Sequence, residues 1–279
     1  MKHILVAALG LVFATPLLAV GAEAGRVRRV EGSVSIQRSG ESASEEAQAN
    51  IPFVPGDRLF TDASGRVEIQ FGQTFVRVDT RSSLEFPSDS GGPMSFRLNS
   101  GGLYLHTQLS GGDAFTVETP GGLVTAREPG VYRLDVDSGE TRLSVIQGSA
   151  TLDAGAGPMT IETGQRIYAR RGQAPEAPQA FGRVDDDFAR WDDSLEGQVG
   201  QATGESHRYV PEEVAPYAGD LDRNGSWSYQ QDVGNVWHPY VAEDWSPYAD
   251  GRWGWTDYGW TWYPSEAWGW APFHYGRWG

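Results

Sequence analysis

Apolar and polar residues alternate with period two in short runs through the first half of the chain. Val67-Glu68-Ile69-Gln70-Phe71 and Met94-Ser95-Phe96-Arg97-Leu98 each put their apolar side chains on one face and their polar ones on the other. Ser33 to Ile36, Phe75 to Val78, Phe115 to Glu118, Tyr132 to Val136 and Leu143 to Ile146 repeat the pattern. Turn formers separate these runs, among them Pro55-Gly56-Asp57, Gly101-Gly102, Pro120-Gly121-Gly122 and Ser138-Gly139. Half-buried strands follow, and with them a mainly β chain whose first domain, residues 25–172, is an all-β sandwich, a roll or a short β-solenoid. Alternation alone does not order the strands.

The period changes once. Pro175 and Pro178 mark a stiff linker, and Val184, Phe188, Trp191 and Leu195 then fall on one face of a short helix. Asp185 is its expected cap, and Asp186 and Arg190 an expected i,i+4 pair. Residues 173–224 therefore read as a linker carrying a short acidic amphipathic helix.

From residue 225 to 279 the pattern is a repeat. Ten of the eleven tryptophans lie between Trp227 and Trp278. Aligning the segment on itself pairs Gly225 with Gly251, Trp227 with Trp253, Gly234 with Gly259, Trp237 with Trp262, Pro239 with Pro264 and Trp245 with Trp270. Each unit reads as a β-hairpin with a Pro-containing return, the second hairpin turning at Asp257-Tyr258-Gly259. A third unit starts at Gly276-Arg277-Trp278. Arg252 and Arg277, each beside a repeating indole (Trp253 and Trp278), are placed for cation–π stacking.

Two resemblances rest on these residues. Leu98 to Leu152 resembles the core of the FecR family of periplasmic domains, through Gly101, then Phe115, Val117, Thr119, Pro120 and Gly122, then Gly130, then Gly148. The resemblance implies an all-β exported domain that works by protein contact. Well-known members carry a cytoplasmic anti-sigma segment and a membrane helix, for which this chain has a cleavable leader instead. The likeness therefore extends to fold and setting and not to sigma-factor control in cis. Residues 234 to 253 and 258 to 278 resemble a tryptophan-rich repeat domain that follows FecR-like domains in exported bacterial proteins, with no established function.

Composition narrows the chemistry. Lys2 and His3 precede an apolar run from Ile4 to Leu18 and the small-residue site Ala22-Glu23-Ala24, so residues 1–24 read as a signal peptide and the protein as periplasmic or secreted. No later stretch is long and apolar enough to suggest a membrane span. Cysteine is absent, which excludes disulfides, thiolate sites and a lipidated cysteine. Lys2 is the sole lysine, and the net charge is -15, so Schiff-base chemistry and nucleic-acid binding are both disfavoured.

Catalysis finds no foothold. His106, His207, His238 and His274 lack metal-ligand spacing, and no nucleophile elbow, phosphate loop or dinucleotide fingerprint is present, so neither enzyme nor cofactor is expected. Asp220-Leu221-Asp222-Arg223-Asn224-Gly225 fits the opening of a calcium loop through Asp220, Asp222 and Asn224, but Gln231 stands where a bidentate Glu is needed. The expected function is a periplasmic protein-interaction or signalling accessory with an envelope protein as partner. The alternative is a glycan- or peptidoglycan-binding or structural surface module, with Trp237, Trp245, Trp262 and Trp270 as its platform.

Overall fold

The alternating segments become strands whose registers build two stacked sheets. The computed structural model describes residues 24–88, 94–109, 114–200, 204–256 and 259–278, so the expected signal peptide, but for its last residue, lies outside the described residues. In chain order the first strands are β1 (Gly25–Glu31), β2 (Val34–Gln37), β3 (Ser44–Glu46), β4 (Pro52–Phe53), β5 (Arg58–Thr61), β6 (Arg66–Phe71) and β7 (Thr74–Val78). There follow β8 (Ser83–Glu85), β9 (Ser95–Thr107), β10 (Phe115–Thr119), β11 (Gly122–Ala126) and β12 (Gly130–Asp137). The sandwich is completed by β13 (Glu140–Gln147), β14 (Ser149–Asp153), β15 (Pro158–Glu162), β16 (Gln165–Arg170) and β17 (Gln179–Ala180).

One sheet runs β4-β1-β6-β7-β9-β12-β13-β16-β17, and the other β3-β2-β5-β8-β9-β10-β11-β14-β15. Among the described residues every pairing is antiparallel except β9 with β10. Strand β9 belongs to both sheets: its first half pairs β8 and β10, and beyond the bend at Gly101 (φ 86°) its second half pairs β7 and β12. Of the architectures left open by the alternation, the two-layer sandwich is the one formed.

The core between the sheets follows from that alternation. Val67, Ile69, Val76, Leu103, Leu134 and Leu143 from one sheet meet Ile36, Leu59, Leu84, Leu98, Val117 and Leu152 from the other, all buried. Phe115 stacks on Phe96 at 4.9 Å. The remaining motif residues shape corners: the Thr119 hydroxyl donates to the Gly122 carbonyl across the Pro120-Gly121 turn. Gly130 and Gly148 leave room for the Tyr132 hydroxyl, which a Cβ would approach to 2.5 and 2.7 Å respectively.

The outer face of the first sheet is polar in sequence and covered in structure. Glu68, Arg77, Tyr104, Arg133, Ser144 and Arg166 stand directly opposite one another across six strands. Helix α1 (Asp187–Gly200) lies on this row, burying Phe188, Trp191 and Leu195 against Tyr104. Val184 precedes the helix. The cap is Asp186 rather than Asp185, its carboxylate accepting from the Ala189 amide at 2.8 Å. Asp186 also pairs with Arg133 at 2.7 Å, which leaves Arg190 to bind Asp185 and Asp187 in place of the expected Asp186 partner.

Two 3-10 turns (Glu205–Arg208 and Glu212–Tyr217) and helix α2 (Ala218–Asn224) lead into hairpin β18 (Gly225–Gln230) with β19 (Gly234–Pro239). A second hairpin, β20 (Gly251–Thr256) with β21 (Gly259–Pro264), repeats its register, and helix α3 (Trp270–His274) follows. Asp257-Tyr258 of the expected turn lies outside the described residues.

Candidate functional site

The two hairpins place equivalent indoles opposite one another: Trp227 faces Trp237 in the first, and Trp253 faces Trp262 in the second. Each inner indole lies over a glycine. A Cβ on Gly225 would come within 2.4 Å of Trp237, and one on Gly251 within 2.5 Å of Trp262. The hairpins differ in what covers this face. In the first, Trp227 donates its indole N–H to Ser206 Oγ at 2.8 Å and Trp237 to the Leu221 carbonyl at 3.1 Å. Both rings pack on Val214 and Leu221.

The second hairpin is turned over. Its opposite face inserts Tyr263 into the sandwich core, with the Arg252 guanidinium 5.3 Å above the ring. Its indole face looks outward, leaving Trp253 54 % and Trp260 67 % exposed. The half-exposed Tyr248 lies parallel to Trp253 at 6.1 Å. Trp262 is shielded by Tyr248 and Phe273.

Ion pairs lock this assembly to the first sheet. Arg26 donates to Asp220 at 2.8 Å, to Asn50 at 2.9 Å and to the Ala267 carbonyl at 2.7 Å. Asn50 in turn donates to the carbonyls of Pro264 and Glu266. Arg28 bridges Asp220 and Glu68, Glu68 binds Arg77 at 2.7 Å, and Arg77 binds Asp192 of α1 at 2.8 Å. An unbroken chain of charges therefore runs from α2 across the sheet to α1. Burial alone would raise the carboxyls of Asp220, Glu68 and Asp192. Arg26 and Arg28 hold Asp220 down to about 2, Arg28 and Arg77 lower Glu68, and His106 with Arg77 lowers Asp192.

Residues 57–151 match the FecR protein family. Residues 218–279 match a family of unknown function, DUF6600. Strands β1 to β4 and β15 to β17 lie outside the FecR segment, yet pair into the same two sheets. Two crystal structures of a candidate anti-sigma factor from Parabacteroides distasonis ATCC 8503 are similar to the chain. One, at 1.65 Å resolution, is 12 % identical with a TM-score of 0.40, over 50 % of this chain and 65 % of that one. The other, at 2.50 Å, is 10 % identical with a TM-score of 0.39, over 66 % of this chain and 99 % of that one. No curated protein matches the sequence.

The residues expected to form a glycan platform do not form one beside the FecR segment. Trp262 is buried beneath Tyr248 and Phe273, and Trp270 is buried against Tyr217 and Arg26. Trp237 and Trp245 are partly buried, and the Trp245 indole N–H is taken by Glu266 at 2.7 Å. Arg252 stacks on Tyr263 and not on Trp253. Arg277 is exposed without a ring contact among the described residues, while Trp278 packs on Trp245 and Phe273. The exposed indole that repeat logic missed is Trp260, which stands where the first unit has Asn235. That departure was the available signal.

The weak calcium-loop candidate does not take the shape of a loop. Residues 218–224 are helical, Asp220 is engaged by Arg26, Arg28 and Arg223, and Asp222 accepts the Ser206 amide, so these carboxylates are committed to the fold. Among the described residues no cluster of three metal-ligating side chains occurs. His238 meets Ser228, and His274, its pKa lowered by burial, meets the Trp270 carbonyl.

Proposed function

We propose that this chain is a non-catalytic protein-interaction or signalling accessory of the bacterial envelope, with the FecR segment as its frame and the second hairpin as its contact surface. The observation that carries the reading is the outward pair Trp253 and Trp260 on a hairpin anchored from behind by Tyr263 in the sandwich core. Aromatic side chains held by a rigid scaffold lose little entropy on binding and commonly carry protein contacts. The FecR match supports a module of the signalling or regulatory type. The signal-like leader supports export, and no helix among the described residues is long and apolar enough to cross a membrane.

The test is carboxylate-reactive crosslinking in cells making the full chain, followed by mass spectrometry. The wild type forms a protein adduct that W253A/W260A loses while keeping its circular dichroism. Identical adducts from both chains overturn the role of the hairpin. Retention on insoluble peptidoglycan without a protein adduct selects the glycan reading instead.

A further inference from the structure

A polar cleft of about 480 Å³ opens on the first sheet, away from the aromatic hairpin. Its walls are the turn at 79–81 between β7 and β8, the β9 bend at 100–102 and the β12–β13 hairpin, with Tyr168 of β16 at one side. The volume lies in the range of small-molecule sites.

Most of its charges cancel. Asp79 binds Arg66 at 2.8 Å, Asp135 binds Arg133 and Arg142 at 2.8 Å each, and Glu140 binds Arg170 at 2.6 Å. Two remain. Arg81 is exposed and its guanidinium has no partner among the described residues, and Asp137 accepts only the neighbouring Ser138 hydroxyl.

Both sit on fixed backbone. Arg81 is left-handed (φ 54°), its amide donating to the Asp62 carbonyl at 2.8 Å. Ser138 and Gly139 (φ 49° and 81°) form the two-residue turn that seats Asp137. The cleft thus offers one cation and one anion from pre-formed turns, with Thr80, Ser100 and Tyr168 adding hydroxyl-bearing side chains to its lining.

We propose that this cleft binds a short zwitterionic peptide, its terminal carboxylate on Arg81 and its terminal ammonium on Asp137. A neutral sugar leaves both charges unused. A polyanion sets its surplus negative charge against Asp137, and a simple cation leaves Arg81 unanswered. The cleft holds a peptide of a few residues, whose backbone amides find partners among the hydroxyls.

The probe is tri-alanine with free termini, titrated into the full chain by NMR or calorimetry. Binding is expected in the millimolar range or tighter, weakened about three- to five-fold by R81A and by D137N, as for solvent-facing charge pairs. The C-amidated peptide should lose its sensitivity to R81A and keep that to D137N, and the N-acetylated peptide should show the reverse. Thermal unfolding of both variants should match the wild type. No binding at about 20 mM, equal binding of the doubly capped peptide, or indifference to both substitutions overturns the assignment.

Discussion

The guanidinium of Arg26, the second residue of the first strand, and the carboxylate of Asp220 meet 2.8 Å apart, 194 positions distant in sequence and almost out of contact with water. Arg26 also lies against the rings of Tyr217 and Trp270 at 5.8 and 5.9 Å. The pair therefore joins the start of the sandwich to both helical pieces flanking the two aromatic hairpins.

Removing one member strands the other in a low-dielectric seam. R26M and D220N should each cost about 3–5 kcal/mol, and the double variant R26M/D220N should cost less than the sum of the two. Urea unfolding followed by tryptophan fluorescence measures all three. Additive losses would show that the two side chains act independently.

Acid should loosen the same seam. The Asp220 carboxyl sits at about 2 in the folded chain, against an ordinary 3.8. A depressed carboxyl contributes stability above its unfolded value and loses it as pH falls toward the folded one. About 2 kcal/mol should therefore disappear between pH 4 and pH 2. Glu68 and Asp192 are lowered as well and add with the same sign. Denaturation over a pH series should show D220N and wild type converging below about pH 4, and a constant gap down to about pH 2.5 would contradict this assignment.

The repeat offers a paired test. Gly225→Ala and Gly251→Ala each drive a methyl group into an indole and into the carbonyl of the facing strand, at 2.4 to 2.5 Å, so each should cost about 1–3 kcal/mol. Trp262→Ala, in a buried site, should cost about 3–5 kcal/mol, whereas Trp260→Ala should cost about 1 kcal/mol or less. Thermal unfolding with near-ultraviolet circular dichroism separates the buried indole from the exposed one.

Alternation revealed the strands because each sheet buries one face against the other. It did not reveal that β9 serves both sheets: Asn99-Ser100-Gly101-Gly102 interrupts the alternation and reads as a turn between two strands, whereas β9 bends at Gly101 and runs on, its buried positions passing from Phe96 and Leu98 to Leu103 and Leu105. Nor did it reveal that Glu68 and Arg77 are fully buried: polar positions on a strand read as solvent-facing, and their cover comes from α1 and α2, far along the chain. The register of the repeat was legible in Gly225, Gly251, Trp237 and Trp262. Which indoles face water was not, because the cover for the first hairpin comes from outside the repeat, at Ser206, Val214 and Leu221. The helix cap moved by one residue because Arg133, on a neighbouring strand, draws Asp186 to itself.

Tyr263 completes a core assembled almost wholly from residues before 170, and the loop that follows it is gripped by Arg26 and Asn50, both ahead of residue 57. A gene fusion joining only 57–151 to 218–279 would inherit the plug without its socket. The heritable cassette is larger than either matched segment: for this aromatic tail to travel to a new host protein, β1 and the turn at Asn50 must travel with it.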